Sequence, residues 1–342
     1  MDNQIFPRVG VKDIAYHLPE RIVSNDELNQ EHPEWDMQRI EARVGIRSRH
    51  IAAPEETALD LALVACLELF DRNSELKNLV DGIIFCTQSP DYLMPPNACL
   101  LHRELGLDDD VFAVDTNLAC SGYIYSLAMA QGLIVAGTCS NILLVTSDTY
   151  SKYIHPADRS TRTLFGDAAA VSWVRAAENG AGMIDVLCQT SGQGYEKFYI
   201  PAGGSRNPKT MATSVGRSDS SGNIRSDENI HMDGMGVMTF VGASVPAQVR
   251  RILLRNSVDI ADLDLVIFHQ ASKLSLDALT RALALPQDRV LRNLSNIGNT
   301  VSSSIPISLA QARSAGRVPP GGLVLLSGFG VGLSWATALL RS

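Results

Sequence analysis

The chain has 342 residues, 45% of them hydrophobic and 19% charged, with a formal net charge of -8. That length supports roughly two domains or one duplicated architecture with ample core. The acidic balance argues against nucleic acid as the main partner, because phosphate binding needs a positive field.

No run approaches the ~20 apolar residues of a membrane span, and MDNQIFPRVGVKDIAYHLP at the N-terminus has no secretory pattern. A cytoplasmic protein with no membrane partner is therefore expected. Cys66, Cys86, Cys99, Cys120, Cys139 and Cys188 include no CxxC pair and no zinc spacing, so neither a metal site nor a disulfide framework is expected.

In chain order, residues 8 to 16 alternate as a strand, and Ser24 opens a Ser-x-x-Glu capping box. The pattern then predicts a short helix carrying Trp35, Arg39, Ile40 and Arg43, ending at Gly45. The basic segment GIRSRHIA that follows is either a solvated surface stretch or a site for an anionic pyrophosphate or phosphopantetheine arm. Thr57 to Phe70 reads as an apolar helix and residues 79 to 88 as a buried strand. Pro90, Pro95 and Pro96 then mark an exposed turn leading into another helix.

Phe112 to Val114 reads as a buried strand, and beyond Ala119 to Gly122 the period becomes helical through Ile124, Leu127, Ala128 and Leu133. Cys120 thus sits at a strand-to-helix turn. Unpaired N–H groups and the helix dipole there favour thiolate, as covalent acyl transfer requires. The alternative is a small buried Cys filling a tight turn. Asn141 to Val145 is another buried strand, and a polar loop from His155 runs through Gly166 and Asp167 into a further strand.

Residues 190 to 235, rich in Gly, Ser, Asn and Arg, read as a long surface excursion. Val245 to Asn256 reads as an amphipathic helix, with Val249, Ile252 and Leu253 inward and Arg250, Arg251 and Arg255 outward. A weak repeat links GIIFC, ending at Cys86, with LVIFH, ending at His269, and NILLVTS with GLVLLSG. Both intervals are about 180 residues. Two duplicated halves, 1–175 and 176–342, follow from it.

Three segments carry chemistry. His269 follows LDLVIF at the C-terminal end of a strand, where sites in parallel α/β sheets open; the alternative is a hydrogen-bonded core histidine. Asn299, between Gly298 and Thr300, is a functional amide or a turn former. SGFGVG, with Gly328, Phe329, Gly330 and Gly332, makes a turn whose N–H groups suit an oxyanion, or simply a tight turn.

Together these segments make the chain resemble the thiolase-fold condensing enzymes, most closely the 3-oxoacyl-acyl carrier protein synthase III family. The match covers nearly the whole length, through RVGIRSRHIAAPEET, VDTNLACSGYIYSLAMA, DRSTRTLFGDAAA, HQAS, GNTVSSSIP and PGGLVLLSGFGVGLSWATALL. Elongating ketoacyl synthases use a second His where this chain has Asn299, and thiolases carry a second Cys near the glycine turn.

The resemblance implies an α/β, thiolase-like fold, with two βαβαβ-type halves in five αβαβα layers. It makes Cys120 the nucleophile that accepts an acyl group, with the N–H groups of Cys120, Gly330, Val331 and Gly332 as oxyanion hole. His269 and Asn299 would hold a malonyl thioester as it loses carbon dioxide, giving the carbanion that attacks the acyl-cysteine. No separate cofactor is implied, since coenzyme A or phosphopantetheine thioesters are the substrates.

Arg43 and Arg159 match coenzyme-contacting arginines. The family's adenine-stacking Trp position is Arg39 here; the alternatives are Trp35, one turn earlier, as a substitute platform, or an acyl-carrier donor, which brings no adenine. Met94 stands where a partner subunit closes the acyl pocket, to which Phe329 is also assigned; a flexible Met there suggests a differently shaped or longer pocket. Leu274 replaces a basic carrier-docking residue beside Lys273, and Arg250 and Arg251 supply charge nearby. The implied partners are acyl carrier protein, acyl-CoA and a second copy of the chain. The alternatives are acyl transfer to an amine or hydroxyl without decarboxylation, and a non-catalytic carrier-binding subunit.

Overall fold

The computed structural model describes residues 8–342. Part of the N-terminal segment read above as lacking a leader lies outside the described residues. Strands β1 (Val9–His17), β2 (Gly82–Cys86), β3 (Phe112–Thr116), β4 (Asn141–Asp148) and β5 (Ala168–Ala176) form one sheet in the order β1-β5-β4-β2-β3. Strands β6 (Gly182–Thr190), β7 (Leu265–Phe268), β8 (Leu323–Gly330) and β9 (Ser334–Arg341) form a second sheet in the order β7-β8-β9-β6.

The repeated segments occupy equivalent places. β2 runs parallel to β4, and β7 runs parallel to β8. β5 and β9 each add antiparallel beside them, and β1 and β6 close the outer edges. Only β3 lacks a full counterpart strand, its place being marked by an isolated parallel bridge between Val266 and Val290.

The helices fill the remaining layers. Among them are α1 (Met37–Val44), α2 (Ala58–Arg72), α3 (Asn97–Leu105), α4 (Gly122–Val135), α5 (Gly234–Arg255), α6 (Lys273–Ala282) and α7 (Ser304–Ser314). Between the sheets, Ile124 and Leu127 of α4 and Ile305 and Leu309 of α7 pack on Ile84, Ile142, Leu144, Ile267 and Leu326. α2 and α3 cover the outer face of the first sheet through Leu61, Leu69 and Leu101 against Ile83, Phe85 and Leu143. α5 and α6 do the same for the second sheet through Val249, Ile252, Leu276 and Leu279 against Val266, Phe268 and Leu325. The result is the five-layered αβαβα arrangement. Its central strands are covered on both faces, so they read as continuous apolar runs rather than alternating ones. Each such Leu or Ile contributes roughly 1.5–3 kcal/mol by leaving water.

Three local readings change, the first being that the strand read as buried at Phe112 to Val114 is an edge strand only partly covered, with Phe112 36% exposed. α5 begins at Gly234, not Val245, and carries Pro246 inside it. The Asp233 side chain caps its start by accepting from the Gly236 N–H, and burial of Phe240 and Val241 draws the glycine-rich stretch into the helix. At Ser24 only half of the capping box forms: its hydroxyl accepts from the Glu27 N–H, while the Glu27 carboxylate pairs with Arg21.

The excursion at 190–235 folds back over the Asp158–Arg162 turn. The Ile224 N–H donates to Ala157 O at 3.2 Å, Arg225 pairs with the fully buried Asp158 at 3.3 Å, and the Ile230 N–H donates to Tyr153 O at 2.9 Å. Among the described residues no helix is long and apolar enough to cross a membrane.

Candidate active site

Cys120 lies between the end of β3 and the start of α4, on the turn closed by the Gly122 N–H donating to Ala119 O at 2.7 Å. Gly122 is required by close approach, since a Cβ there would stand 2.3 Å from Cys86 Sγ. The neighbouring Ser121 hydroxyl is 2.7 Å from that of Ser334, so the turn is tied to the second sheet.

His269 follows β7 directly, and its N–H donates to Ser327 O of β8 at 2.8 Å. Asn299 sits before α7, its N–H donating to Leu164 O at 2.9 Å and its carbonyl accepting from Gly166 at 3.0 Å. The three candidate residues therefore reach one place, Cys120 and His269 from beyond parallel strands of the two sheets and Asn299 from the loop before α7. They line one cavity of about 330 Å³, together with Phe329, Gly330 and Phe165.

The electrostatics of this cavity differ from a simple helix-end picture. Cys120 is 3% exposed, and burial pushes its thiol well above the ordinary value, with the Asp148 carboxylate adding to the rise. The Cys120 N–H, pointing at its own sulfur, pulls the other way without prevailing. The expected resting thiolate is thus corrected: desolvation outweighs the helix end, and the resting residue is a thiol.

Burial also holds the His269 imidazole down to about 3, so it is neutral at neutral pH. Its Nδ1 lies 2.7 Å from Ser304 Oγ, and its ring meets Phe329 edge-on at 5.6 Å. Asn299 Oδ1 accepts from the Val301 N–H at 3.0 Å, leaving Nδ2 as a donor.

The remaining candidates divide. Arg43 and Arg159 line the mouth of the cavity, with the Arg159 guanidinium donating to Ser221 O of the excursion at 3.3 Å. Arg39 is exposed and does not line it. Trp35 is corrected: it precedes α1 rather than riding on it, is 5% exposed, and stacks on His32 at 3.9 Å within a cluster of Val23, Leu28 and Met37. Its faces are covered by the protein's own side chains. The basic segment is corrected in part as well. Arg49 is neither a surface nor a substrate residue but is buried, donating to Val23 O, Asn25 Oδ1 and Thr163 O.

Of the glycine turn, Gly330 lines the Cys120 cavity, whereas Val331 and Gly332 line a neighbouring one. Phe329 is in the first cavity, on the His269 side; Met94 is 82% exposed and lines neither. Leu274 lines the mouth, Lys273 pairs with Asp277 at 2.9 Å, and Arg250 and Arg251 are exposed on α5. Ser304, Asp148, Tyr150 and Phe198 were not singled out from the sequence. Ser304 stands within GNTVSSSIP, but the other three carry no local signal.

Comparison with known proteins agrees with this geometry. Residues 114–192 match the family model described as 3-Oxoacyl-[acyl-carrier-protein (ACP)] synthase III, and residues 253–342 match its C-terminal counterpart. A beta-ketoacyl-[acyl-carrier-protein] synthase III of Solibacter usitatus is 33% identical, covering 98% of this chain and 99% of that protein. A crystal structure of a 3-oxoacyl-(acyl-carrier-protein) synthase III superposes with a TM-score of 0.96 at 42% identity, covering 98% of this chain and 100% of that one. The priming beta-ketosynthase of the R1128 polyketide biosynthetic pathway superposes with a TM-score of 0.84 at 28% identity, covering 100% of this chain and 98% of that one. With Cys, His and amide on a thiolase fold and relatives matched end to end, this chain belongs to the 3-oxoacyl-[acyl-carrier-protein] synthase III family.

Proposed function

We propose that the chain condenses an acyl thioester with a malonyl thioester on acyl carrier protein, releasing carbon dioxide and a 3-oxoacyl thioester. The observation that carries this reading is the convergence of Cys120, His269 and Asn299 on one apolar-walled cavity with an Arg43 and Arg159 mouth.

Cys120 attacks the acyl carbonyl, its proton leaving with the departing thiol, and the oxyanion is held by the N–H groups of Cys120 and the turn at Gly330. The Gln270 N–H approaches Ser304 Oγ at 3.4 Å, which leaves the hydroxyl proton for His269 Nδ1. His269 then carries its own proton on Nε2. That N–H and Asn299 Nδ2 are the two donors that receive the enolate oxygen when the malonyl C–C bond breaks. The enolate carbon attacks the acyl-cysteine, and Cys120 leaves and recovers a proton.

Arg43 and Arg159 suit the phosphates of coenzyme A or of a phosphopantetheine arm, while Lys273, Arg250 and Arg251 suit an acidic carrier. A homodimer is supported by the edge strand β3, whose outer edge pairs with no strand among the described residues, beside exposed Tyr92, Leu93 and Met94. Six free cysteines suit a reducing, cytoplasmic setting.

The test is intact mass after exposure to acyl-CoA and acyl-carrier donors, followed by carbon dioxide release from malonyl-carrier. An adduct on Cys120 with release of carbon dioxide is expected. An adduct that passes to an amine or hydroxyl with no malonyl requirement would replace this reading with plain acyl transfer.

A further inference from the structure

Asn299 enters the cavity from a turn that its own backbone does not favour. Val301, two residues on, has a φ of 51°. That is the left-handed region, which a β-branched residue occupies only where its surroundings hold it there. In this shape the Val301 N–H meets Asn299 Oδ1 at 3.0 Å. The amide oxygen is thereby occupied, and Nδ2 is the group left for a ligand.

The first sheet supplies what holds the turn. Ser302 Oγ donates to Asp148 Oδ2 at 2.6 Å, and Ser303 Oγ donates to Thr146 O at 3.0 Å, both acceptors being on β4. Asp148 is 1% exposed, and its other oxygen accepts from the Gln88 N–H at 2.8 Å, so the anchor is itself fixed. Neither Asp148 nor Ser302 lines the cavity. The backbone of Asn299 is set separately, through Leu164 and Gly166. The contact between Ser302 and Asp148 therefore bears on the turn after Asn299, and so on the direction of its amide.

We propose that Ser302 and Asp148 are positioning residues for decarboxylation, their hydrogen bond holding the strained turn at Val301 so that Asn299 presents Nδ2 to the enolate oxygen. This rests on the condensation reading above and adds to it a pair, one residue from each half of the chain, that touches no substrate. Once the bond is lost, the Val301 backbone relaxes and its N–H leaves Oδ1. The amide then turns between a donor and an acceptor orientation, and the acceptor orientation opposes an enolate.

The experiment follows both half-reactions on the full-length protein. The Cys120 adduct from acetyl-CoA is read by time-resolved intact mass, and carbon dioxide release from malonyl-carrier is read with pre-acylated enzyme. Ser302→Ala removes one oxygen and leaves the packing, which guards against misfolding. It should lower kcat for carbon dioxide release about tenfold, with KM for malonyl-carrier and the acylation rate each within about twofold of wild type. Adding Val301→Gly to Ser302→Ala should recover most of that rate even as Tm falls, because glycine takes a positive φ without strain while the buried side chain is lost. Recovery of rate with loss of stability is the opposite of what general damage to the fold would give. Unchanged release in Ser302→Ala, or release and acylation falling together, overturns the inference while leaving the condensation reading intact. Wild type that acylates but releases no carbon dioxide overturns that reading, and the inference with it.

Discussion

Gly330 lies against the sulfur of Cys120: a Cβ at position 330 would stand 3.1 Å from both Sγ and Cβ of Cys120. The last residue of β8 is thus the wall behind the Cys120 sulfur, and the proposed mechanism gives its backbone N–H to the oxyanion. Gly330→Ala should slow acylation of Cys120 by roughly tenfold to a hundredfold while leaving Tm nearly unchanged, because the added methyl displaces the thiol by only a few tenths of an ångström. Rapid-quench mass measurement checks this, and wild-type acylation in the variant would remove Gly330 from the site.

In the proposed mechanism Asn299 and Cys120 serve different half-reactions. Asn299→Ala should leave acyl transfer to Cys120 close to wild type and cut carbon dioxide release from malonyl-carrier about a hundredfold to a thousandfold, the cost of one enolate donor. Parallel fall of both rates would instead assign Asn299 to the turn it makes with Val301.

The two half-reactions should also titrate differently. Acylation should climb with pH between about 7 and 9, since burial holds the Cys120 thiol above its ordinary value and thiolate is scarce at neutrality. Decarboxylation should be flat across the same range and down through the ordinary imidazole value of about 6.5, because His269 is already neutral. A clear inflection near that value in decarboxylation, measured with pre-acylated enzyme, would show a protonated imidazole at work.

Asp148 joins three segments, accepting from the Gln88 N–H and the Ser302 hydroxyl. Burial raises its carboxyl to about 7 despite those bonds. Between about pH 4 and 7 the folded chain therefore holds a proton that the unfolded chain has released, and stability falls as pH rises through that window. Asp148→Asn keeps an acceptor without the charge. Its Tm should exceed that of wild type at pH 8, by roughly 2–4 °C for each kcal/mol recovered, and the difference should vanish at pH 4. A Tm below wild type at pH 8 would mean the ionised carboxylate is worth more to the fold than its burial costs.

Trp35 should behave as core. Trp35→Ala is expected to cost about 3–5 kcal/mol in denaturant unfolding, while Trp35→Phe, keeping most of the packing against His32 and Met37, should leave the KM for acyl-CoA unchanged. A several-fold rise in that KM with unaltered Tm would return the ring to the coenzyme site.

Much of the site was legible because its signals are local. Cys120, His269 and Asn299 each follow an apolar run or sit among small turn residues, and the repeated GIIFC and LVIFH segments mark strands that occupy equivalent positions in the two sheets. The start of α5 was not legible, since Gly234, Gly236 and Pro246 argue locally against a helix and only burial of Phe240 and Val241 reverses them.

By itself the sequence determined the repeated strand segments, the turn that carries Cys120 and the types of residue available for acyl chemistry. All of these depend on neighbours within a few positions. Tertiary structure alone decided that burial raises the Cys120 thiol, that His269 is neutral, and that Tyr150 is buried with its hydroxyl on Gln88. Each of these is set by desolvation and packing from residues distant in the chain, such as Asp148 beside Cys120 and Gln88 on Tyr150, and a one-dimensional pattern does not encode how deeply a group is buried or what faces it.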